Sequence, residues 1–145
     1  MLPAIATEPL WPPQGRFLMA EKETYADFRS FADNTNMGSS FELDGFKFDA
    51  HGIDMIVNES GGGRGLQYPS GLKIWPPMPV EKVRMRVGTF NGPTTIVATS
   101  KKQIEDEIEV PMTNSYHDIQ LNGKQLVELK CYDGGAEPII EFVCV

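Results

Sequence analysis

The two histidines are the residues of this chain best suited to acid–base or metal chemistry, and they stand far apart, at His51 and His117. No HxH, HxxxH or CxxC pattern lies near either one, whereas a zinc site needs three or four converging ligands. Ser115 and Asp118 flank His117 and suggest a hydrolase. Neighbouring residues of a strand point to opposite faces, however, so Asp118 cannot orient the His117 ring as a catalytic triad requires. We therefore expect polar loop or surface roles for both histidines.

Carboxylates are the second group of residues that could take part in catalysis. Glu105, Glu107 and Glu109 alternate along one predicted strand, so they share a face and lie about 7 Å apart per step. Paired carboxylates at such a spacing could serve a glycosidase. A solvated outer face carries the same pattern, and charges there prevent edge-to-edge association of strands. We interpret the three glutamates as solvent-facing, and we expect the chain not to be an enzyme.

A phosphate-binding loop is the third candidate, and SGGGRG at residues 60–65 is the only glycine-rich stretch that resembles one. It lacks the Lys-Ser/Thr pair and the strand–helix context of such loops. Three consecutive glycines do not favour a regular element. The sequence therefore predicts a flexible loop over residues 58–65.

The charge and the hydropathy of the chain exclude several classes of binding partner. The chain of 145 residues falls in the range of one domain and carries 13 basic against 20 acidic residues, a net charge of −7. Nucleic acids and anionic membranes both require a concentrated basic surface, so neither is an expected partner. No apolar run is long enough for a transmembrane helix. The N-terminus lacks the basic start of a signal peptide, so we expect a cytoplasmic protein, or one exported without a recognisable signal.

The chain has two cysteines, Cys131 and Cys144. Whether they are bridged or free indicates whether the protein is in an oxidising or a reducing compartment. A hairpin between residues 126–132 and 139–145 would place Cys131 opposite Ile140 and Cys144 opposite Val127. A disulfide needs Cα atoms within about 7 Å, which this register forbids. We predict two buried free thiols, as in a reducing compartment.

The elements that must position these residues are strands. Apolar residues at every second position mark three of them: Val83, Met85 and Val87; Ile104, Ile108 and Val110; Val127, Leu129 and Cys131. This period of two is typical of strands with one buried face, and a series of such strands indicates a β-sandwich or barrel. We expect the first and third sets to share one core face.

The first half of the chain is less regular. Residues 1–20, rich in proline, are expected to form an extended arm, and residues 21–145 a single domain. The apolar phase slips at Asp44-Gly45, which indicates a bulge or a tight hairpin. Further strands are expected at residues 53–57 and on both sides of a turn at residues 69–71.

Antiparallel strands in series bring every second connection to the same end of a sandwich. The connections that follow residues 88, 110 and 132 are therefore expected to form one rim, and loops at one end of a rigid sandwich commonly bind ligands. The candidate binding residues on this rim are Phe90, Asn91, Asn114, Tyr116, Asp133 and Glu137. The opposite end, with Lys101-Lys102 and Asn122-Gly123-Lys124, is expected to be structural.

Residues from about 27 to 145 resemble the galactose-binding-like jelly-roll superfamily, whose bacterial members occur as carbohydrate-binding or accessory modules. The segments that carry the resemblance are DFRSF, SSFELDGFKF, GLQYPSGLKIWPPMPVEKVRMRVGTFNGPTTIVAT, IEVPM, YHDIQLNGKQLVELKCYDGG and EPIIEFVCV. The resemblance implies an all-β, two-sheet antiparallel β-sandwich (jelly roll). It also implies a structural calcium site at Glu141 with Glu23 or Asp27, and no other cofactor.

Two functions follow from the sequence. The first is a non-catalytic module that recognises a glycan or similar polar ligand through the rim. The alternative is a protein-interaction or targeting subunit of a larger assembly, such as a multi-component bacterial toxin.

Overall fold

A computed structural model of the chain describes residues 23–133 and 138–145, and the predicted arm at residues 1–20 lies outside them. The described residues form thirteen strands: β1 (Tyr25–Asp27), β2 (Asn36–Gly38), β3 (Ser40–Leu43), β4 (Phe46–Asp49), β5 (Met55–Ser60), β6 (Gly63–Gln67), β7 (Leu72–Trp75), β8 (Val80–Thr89), β9 (Thr94–Thr99), β10 (Ile104–Val110), β11 (Tyr116–Leu126), β12 (Glu128–Asp133) and β13 (Pro138–Cys144). The two-sheet antiparallel β-sandwich that the sequence predicts is confirmed. Nothing in the described part of the chain is a helix long and apolar enough to cross a membrane.

The strands are divided between two sheets, in which neighbours pair antiparallel. The seven-stranded sheet has the order β11-β8-β13-β6-β5-β2, with β1 also beside β13. The six-stranded sheet has the order β10-β9-β12-β7-β4-β3. The last six strands cross repeatedly from one sheet to the other, because β8, β11 and β13 belong to the first sheet and β9, β10 and β12 to the second.

The core lies between the facing sides of the sheets and follows the predicted alternation in β8 and β12. In β10 the prediction is wrong at Ile104, which is exposed, whereas Val110 is buried. Five of the six predicted residues share one buried cluster: Val83, Met85, Val87, Leu129 and Cys131. The sixth, Val127, is only half-buried. Each large apolar side chain buried in this way stabilises the fold by about 1.5–3 kcal/mol relative to exposure.

The predicted hairpin between residues 126–132 and 139–145 is wrong. β12 pairs with β7 and β9, whereas β13 pairs with β1, β6 and β8 in the other sheet. Cys131 lies opposite Leu72 and Ile96, and Cys144 lies opposite Tyr25 and Arg84. Both cysteines are buried and free. The prediction of free thiols is confirmed, although the register from which it came is not.

The predicted flexible loop at residues 58–65 is also wrong, because β5 and β6 form a hairpin there with its turn at Gly61-Gly62. Glycine is needed next to this turn, because the backbone of β6 closely approaches the backbone of β13. A Cβ on Gly65 would collide with the carbonyl of Ile140 in β13. The glycine run is thus part of a paired strand that packs against its neighbour.

The sequence predicts either a bulge or a tight hairpin at Asp44-Gly45, and the structure has a hairpin there. β3 and β4 pair from Ser40↔Asp49 to Leu43↔Phe46. The two turn residues have positive φ, 49° at Asp44 and 87° at Gly45. Such values are typical of a two-residue hairpin turn.

β13 changes its partner on one side at Glu141, from β6 to β1. β6 pairs with Ile139 and Ile140, whereas β1 pairs with the segment from Phe142 to Cys144 on the same side. The pairing with β8 is also interrupted between Ile140 and Phe142. A bulge re-aims side chains and weakens the local ladder. Glu141 therefore lies at the point where β1 and β6 diverge.

Candidate functional site

The predicted rim exists in the structure. Gly88 lies opposite Tyr116, the first residue of β11, and Thr89 lies opposite Pro138, the first residue of β13. Thr94, at the start of β9, faces the last residues of both β10 and β12. The strand ends before and after all three connections therefore meet at one end of the sandwich, as expected from the chain order.

The two aromatic candidates on the rim, Phe90 and Tyr116, pack on each other. Their rings meet edge to face, with centroids 5.4 Å apart and an interplanar angle of 72°. The hydroxyl of Tyr116 donates a hydrogen bond to the carbonyl of Ser60 at 2.8 Å. Burial is the main cause that raises the pKa of Tyr116, to about 12. Both rings are half-buried, so each has a structural contact and a remaining open surface.

Glycines make room for this aromatic pair. A Cβ on Gly88 would lie 2.6 Å from the Phe90 ring and 2.7 Å from the Tyr116 ring. A Cβ on Gly61 would lie 2.6 Å from Phe90. The pair therefore lies directly on β8 and on the turn between β5 and β6, and it fixes that turn to the rim.

The polar candidates are placed less uniformly. Asn91 and Asn114 are exposed, with positive φ values of 73° and 58°. The backbone N–H of Asn114 donates to the carbonyl of Thr89 at 2.9 Å. Asp133 is the last residue of β12, and Glu137 lies outside the described residues. The structure thus brings Phe90 and Tyr116 into contact and leaves the two asparagine side chains in solvent beside them.

A groove of about 620 Å³ opens where β1 and β6 diverge, next to the aromatic pair. We call it the β1–β6 groove. It is lined by Arg29, Glu59, Ser60, Gly61, Gly62, Gly63, Arg64 and Glu141. The size falls within the range of small-ligand sites. Sequence reasoning did not find this groove, because its walls come from distant parts of the chain.

Glu141 forms the buried end of the groove and is only 5% exposed. Its Oε1 accepts a hydrogen bond from Nε of Arg86 at 2.8 Å, and its Oε2 accepts the backbone N–H of Arg64 at 2.8 Å. A Cβ on Gly63 would collide with the same Oε2. A buried carboxylate is stable only when paired and hydrogen-bonded, and both conditions are met here.

The two arginines of the groove are each held by a carboxylate. The Arg29 side chain donates two hydrogen bonds to the carboxylate of Asp27, at 3.0 Å from Nε and at 2.7 Å from a terminal nitrogen. This guanidinium is the main cause that lowers the pKa of Asp27. Arg64 pairs with Glu59 and also donates to the carbonyl of Phe31 at 2.9 Å. Guanidinium groups carry five N–H donors, so these pairs leave donors free for a ligand.

The groove therefore offers both donors and acceptors with little net charge. Its lining holds two guanidiniums, of Arg29 and Arg64, and two carboxylates, of Glu59 and Glu141. The backbone at residues 61–63 adds further polar groups, and Gly62 is open because nothing lies within 4 Å of the place where a Cβ would be. Such a surface suits a neutral ligand that presents many hydroxyl groups, because each hydroxyl both donates and accepts.

The predicted calcium ligands face guanidiniums in this structure. Glu141 pairs with Arg86, Asp27 with Arg29, and Glu23 with Arg84. Among the described residues, no group of three or more His, Cys, Asp or Glu is placed to hold a metal ion. Calcium takes six to eight oxygen ligands. This arrangement does not fit such a site unless the carboxylates exchange their guanidinium partners for the ion.

The residues considered for a catalytic triad do not form one. The ring of His117 hydrogen-bonds to Thr113, and Asp118 pairs instead with Arg86 on the neighbouring strand. This matches the expectation that adjacent residues of β11 point to opposite faces.

One signal in the sequence could have indicated the groove. Every residue of β13 is buried, and Glu141 is the charged residue in that strand, PIIEFVC. Lone charges in apolar runs are usually paired inside the fold. The partner, Arg86, could not be identified from the alternation alone.

Comparisons with known proteins give matches among solved structures. No family model matches the chain, and no curated protein does. A carbohydrate-binding module (CBM6cm-2) from Cellvibrio mixtus lichenase 5A, in complex with cellotriose, is 15% identical, with 78% of this chain and 96% of that chain covered and a TM-score of 0.42. The module CsCBM6-3 from Clostridium stercorarium, in complex with cellobiose, is 16% identical, with coverages of 76% and 91% and a TM-score of 0.45.

A module of carbohydrate-binding family 29 also matches, at 12% identity, with 79% of this chain and 92% of that chain covered and a TM-score of 0.46. All three matches are carbohydrate-binding modules.

Proposed function

We propose that this chain is a non-catalytic binding module that holds a neutral glycan, or a polar ligand of similar chemistry, in the β1–β6 groove beside the rim. One observation carries the proposal. The groove combines guanidinium donors, carboxylate acceptors and the open backbone at Gly62 in a space of about 620 Å³. Polar ligands need such matched partners, because their own desolvation is costly.

The charge balance favours a neutral ligand over an ionic one. Arg29 and Arg64 are each neutralised by a carboxylate, Asp27 and Glu59. An anion would have to compete with these partners for the same guanidiniums, whereas a hydroxyl can use the donors that remain. A guanidinium–carboxylate pair also presents a donor beside an acceptor, which matches two neighbouring hydroxyls of a sugar ring.

The aromatic pair supplies the apolar side of the proposed site. Phe90 and Tyr116 adjoin the groove through Gly61 and Gly63, whose added Cβ atoms would touch the two rings. Sugar rings have apolar faces that pack on aromatic side chains, as apolar groups do in most small-ligand sites. The rim residues predicted from the sequence would thus contact the outer part of a ligand held in the groove.

A glycan-array screen, in calcium and in chelator, followed by calorimetric titration of the best ligand, tests the proposal. We expect Arg29→Met to weaken binding by about tenfold or more, which corresponds to about 1.4 kcal/mol. Tyr116→Ala should weaken binding by about 1–3 kcal/mol if its ring contacts the ligand.

Two controls separate binding from folding. Glu107→Gln changes an exposed charge on β10, away from the groove, and should leave affinity unchanged. Val87→Ala removes buried methyl groups and should lower stability without changing the affinity of the folded protein. Binding that survives both Arg29→Met and Tyr116→Ala would exclude the groove as the site.

The alternative function, a protein-interaction subunit, gains no specific support from the described surface. The large exposed apolar residues there come from separate segments: Ile53, Met78, Ile104, Met112 and Tyr132. Single exposed apolar residues of this kind are common on soluble proteins.

A further inference from the structure

A second cleft, of about 670 Å³, lies at the opposite end of the sandwich from the rim. It is lined by Glu81, Ser100, Lys101, Lys102, Gln103, Glu105, Lys124 and Gln125. These residues come from the start of β8, the turn between β9 and β10, the start of β10, and the end of β11. We call it the lysine cleft. The sequence predicted only structural turns here.

The first wall of the lysine cleft is a turn held by its own hydrogen bonds. The backbone N–H of Ser100 donates to the carbonyl of Gln103 at 2.9 Å. The Ser100 hydroxyl oxygen accepts the backbone N–H groups of Lys102 and Gln103, each at 3.3 Å. Serine side chains stabilise turns in this way. Lys101 and Lys102 are therefore carried on a defined backbone.

The second wall is made by a bulge in β11. The sequence predicts a short connection near residues 122–124, but these residues belong to β11. Asn122 faces Lys82, but the next paired residue of β11 is Leu126, which faces Val80. β11 thus contains two more residues than β8 over this stretch. The bulge includes Lys124 and Gln125, which leave the regular ladder and line the cleft. Bulges are a common means of re-aiming a side chain.

The bulge is also packed and hydrogen-bonded to β10. The backbone N–H of Asn122 donates to a carboxylate oxygen of Asp106 at 2.8 Å. A Cβ on Gly123 would lie 2.9 Å from Cβ of Glu105, so only glycine allows this approach. The second wall is therefore built by specific contacts between strands of the two sheets, β11 and β10.

Positive charge predominates in the lysine cleft, although the chain as a whole carries −7. Lys101, Lys102 and Lys124 form no ion pair with any carboxylate of the described residues. Of the two glutamates in the lining, Glu105 already accepts a hydrogen bond from Gln103 at 3.0 Å. That bond is the main cause that lowers the pKa of Glu105, with a smaller effect of Lys124.

From these contacts we propose that the lysine cleft binds a small organic anion, in which a carboxylate or sulfate group lies among Lys101, Lys102 and Lys124 and a polar body extends toward Gln125. Three ammonium groups without carboxylate partners provide the attraction, and the volume admits a sugar-sized molecule. This site shares no residue with the β1–β6 groove, so it goes beyond the function proposed above.

Nuclear magnetic resonance titration of the labelled protein tests the proposal, with glucuronate, glucose 6-sulfate and glucose as probes at constant ionic strength. We expect at least one of the two anions to shift the amide signals of residues 100–103 and 124–125 in a saturable way. Glucose should not shift them. The two anions distinguish a carboxylate from a sulfate as the recognised group.

Variants decide whether the three lysines are responsible. Lys101→Met combined with Lys124→Met should weaken anion binding by about tenfold or more. Lys130→Met changes the same charge on β12, outside the cleft, and should leave anion binding unchanged. Arg29→Met, in the groove, should also leave it unchanged, so failure of the glycan proposal and failure of this one can be told apart.

Three results would overturn the proposal. One is the absence of saturable shifts with both anions. Another is equal binding of glucose, which would show that charge is not recognised. The third is an adventitious ion only, that is, inorganic phosphate producing the same shifts with the same midpoint as the sugar anions.

Discussion

Oε1 of Glu141 lies 2.8 Å from Nε of Arg86, at the point where β1 and β6 separate along β13. Arg86 reaches in the other direction to Asp118 on β11. Glu141 in turn accepts the backbone N–H of Arg64 on β6. These ion pairs and hydrogen bonds therefore link β11, β8, β13 and β6, and they hold Glu141 at the buried end of the β1–β6 groove.

Glu141→Gln should destabilise the fold. The amide keeps the shape of the side chain but loses the charge that balances Arg86, which is about one third exposed. Hydrogen bonds to charged groups contribute about 1.5–3 kcal/mol, and a buried partner left unsatisfied costs about as much. We expect a loss of about 1–3 kcal/mol in the free energy of unfolding, measured by urea denaturation.

Asp118→Asn is the matched control, because it removes the other carboxylate partner of the same guanidinium. The Asp118 side chain is 73% exposed. Exposed ion pairs contribute about 1 kcal/mol or less. If the two variants cost the same, the junction at Glu141 is no more important to the fold than an ordinary surface pair.

The sheet class could be predicted because alternation is a local property of the sequence. Val83, Met85 and Val87 show the period of two directly, and the chain order of the strands was enough to predict the rim. The pairing of β13 was not local. All its residues are buried, so its sequence shows no alternation. The pattern therefore does not tell whether β13 forms a hairpin with β12 or pairs within the other sheet.

The groove and the lysine cleft could not be predicted for a similar reason. Each depends on irregular pairing, at Glu141 in β13 and between Asn122 and Leu126 in β11. A bulge is a property of two strands and has no fixed signature in either one. The sequence predicts both aromatic residues, Phe90 and Tyr116, on the rim, but their contact with the glycine turn depends on β5 and β6 being paired.

The phenol of Tyr116 provides a pH-dependent test. Its pKa in the folded protein is about 12, raised mainly by burial, whereas an unfolded chain has a value of about 10. The protonated ring thus favours folding, and this contribution is complete below about pH 10 and is lost as the pH rises through about 12. In ultraviolet titration, the transition that Tyr116→Phe removes should be centred near the higher value.

Tyr116→Phe also removes the hydrogen bond to Ser60. A typical hydrogen bond contributes about 1 kcal/mol, so we expect a loss of that order at neutral pH. Tyr132→Phe, on an exposed ring of the six-stranded sheet, should change neither the alkaline transition of Tyr116 nor the stability. A Tyr116 transition centred near pH 10 would show that the ring is not held over Gly63 and Gly88.

The two thiols should be inaccessible until the protein unfolds. Cys131 is fully buried, and its pKa is raised by that burial, so the reactive thiolate is suppressed. Cys144 is 1% exposed and contacts Arg84. Ellman's reagent should report two thiols in denaturant and almost none in native buffer. Fast reaction of Cys131 in the native protein would contradict its position between β7 and β9.

Calcium should leave the unfolding temperature unchanged. An ion that binds only the folded state raises this temperature, and it needs six to eight oxygen ligands. In the structure both oxygens of Glu141 are taken, by Arg86 and by the Arg64 backbone, and Asp27 is held by Arg29. We therefore expect equal midpoints in calcium and in chelator. A higher midpoint in calcium that disappears in Glu141→Gln would show that the carboxylate exchanges Arg86 for the ion, and would confirm the site that the family resemblance implies.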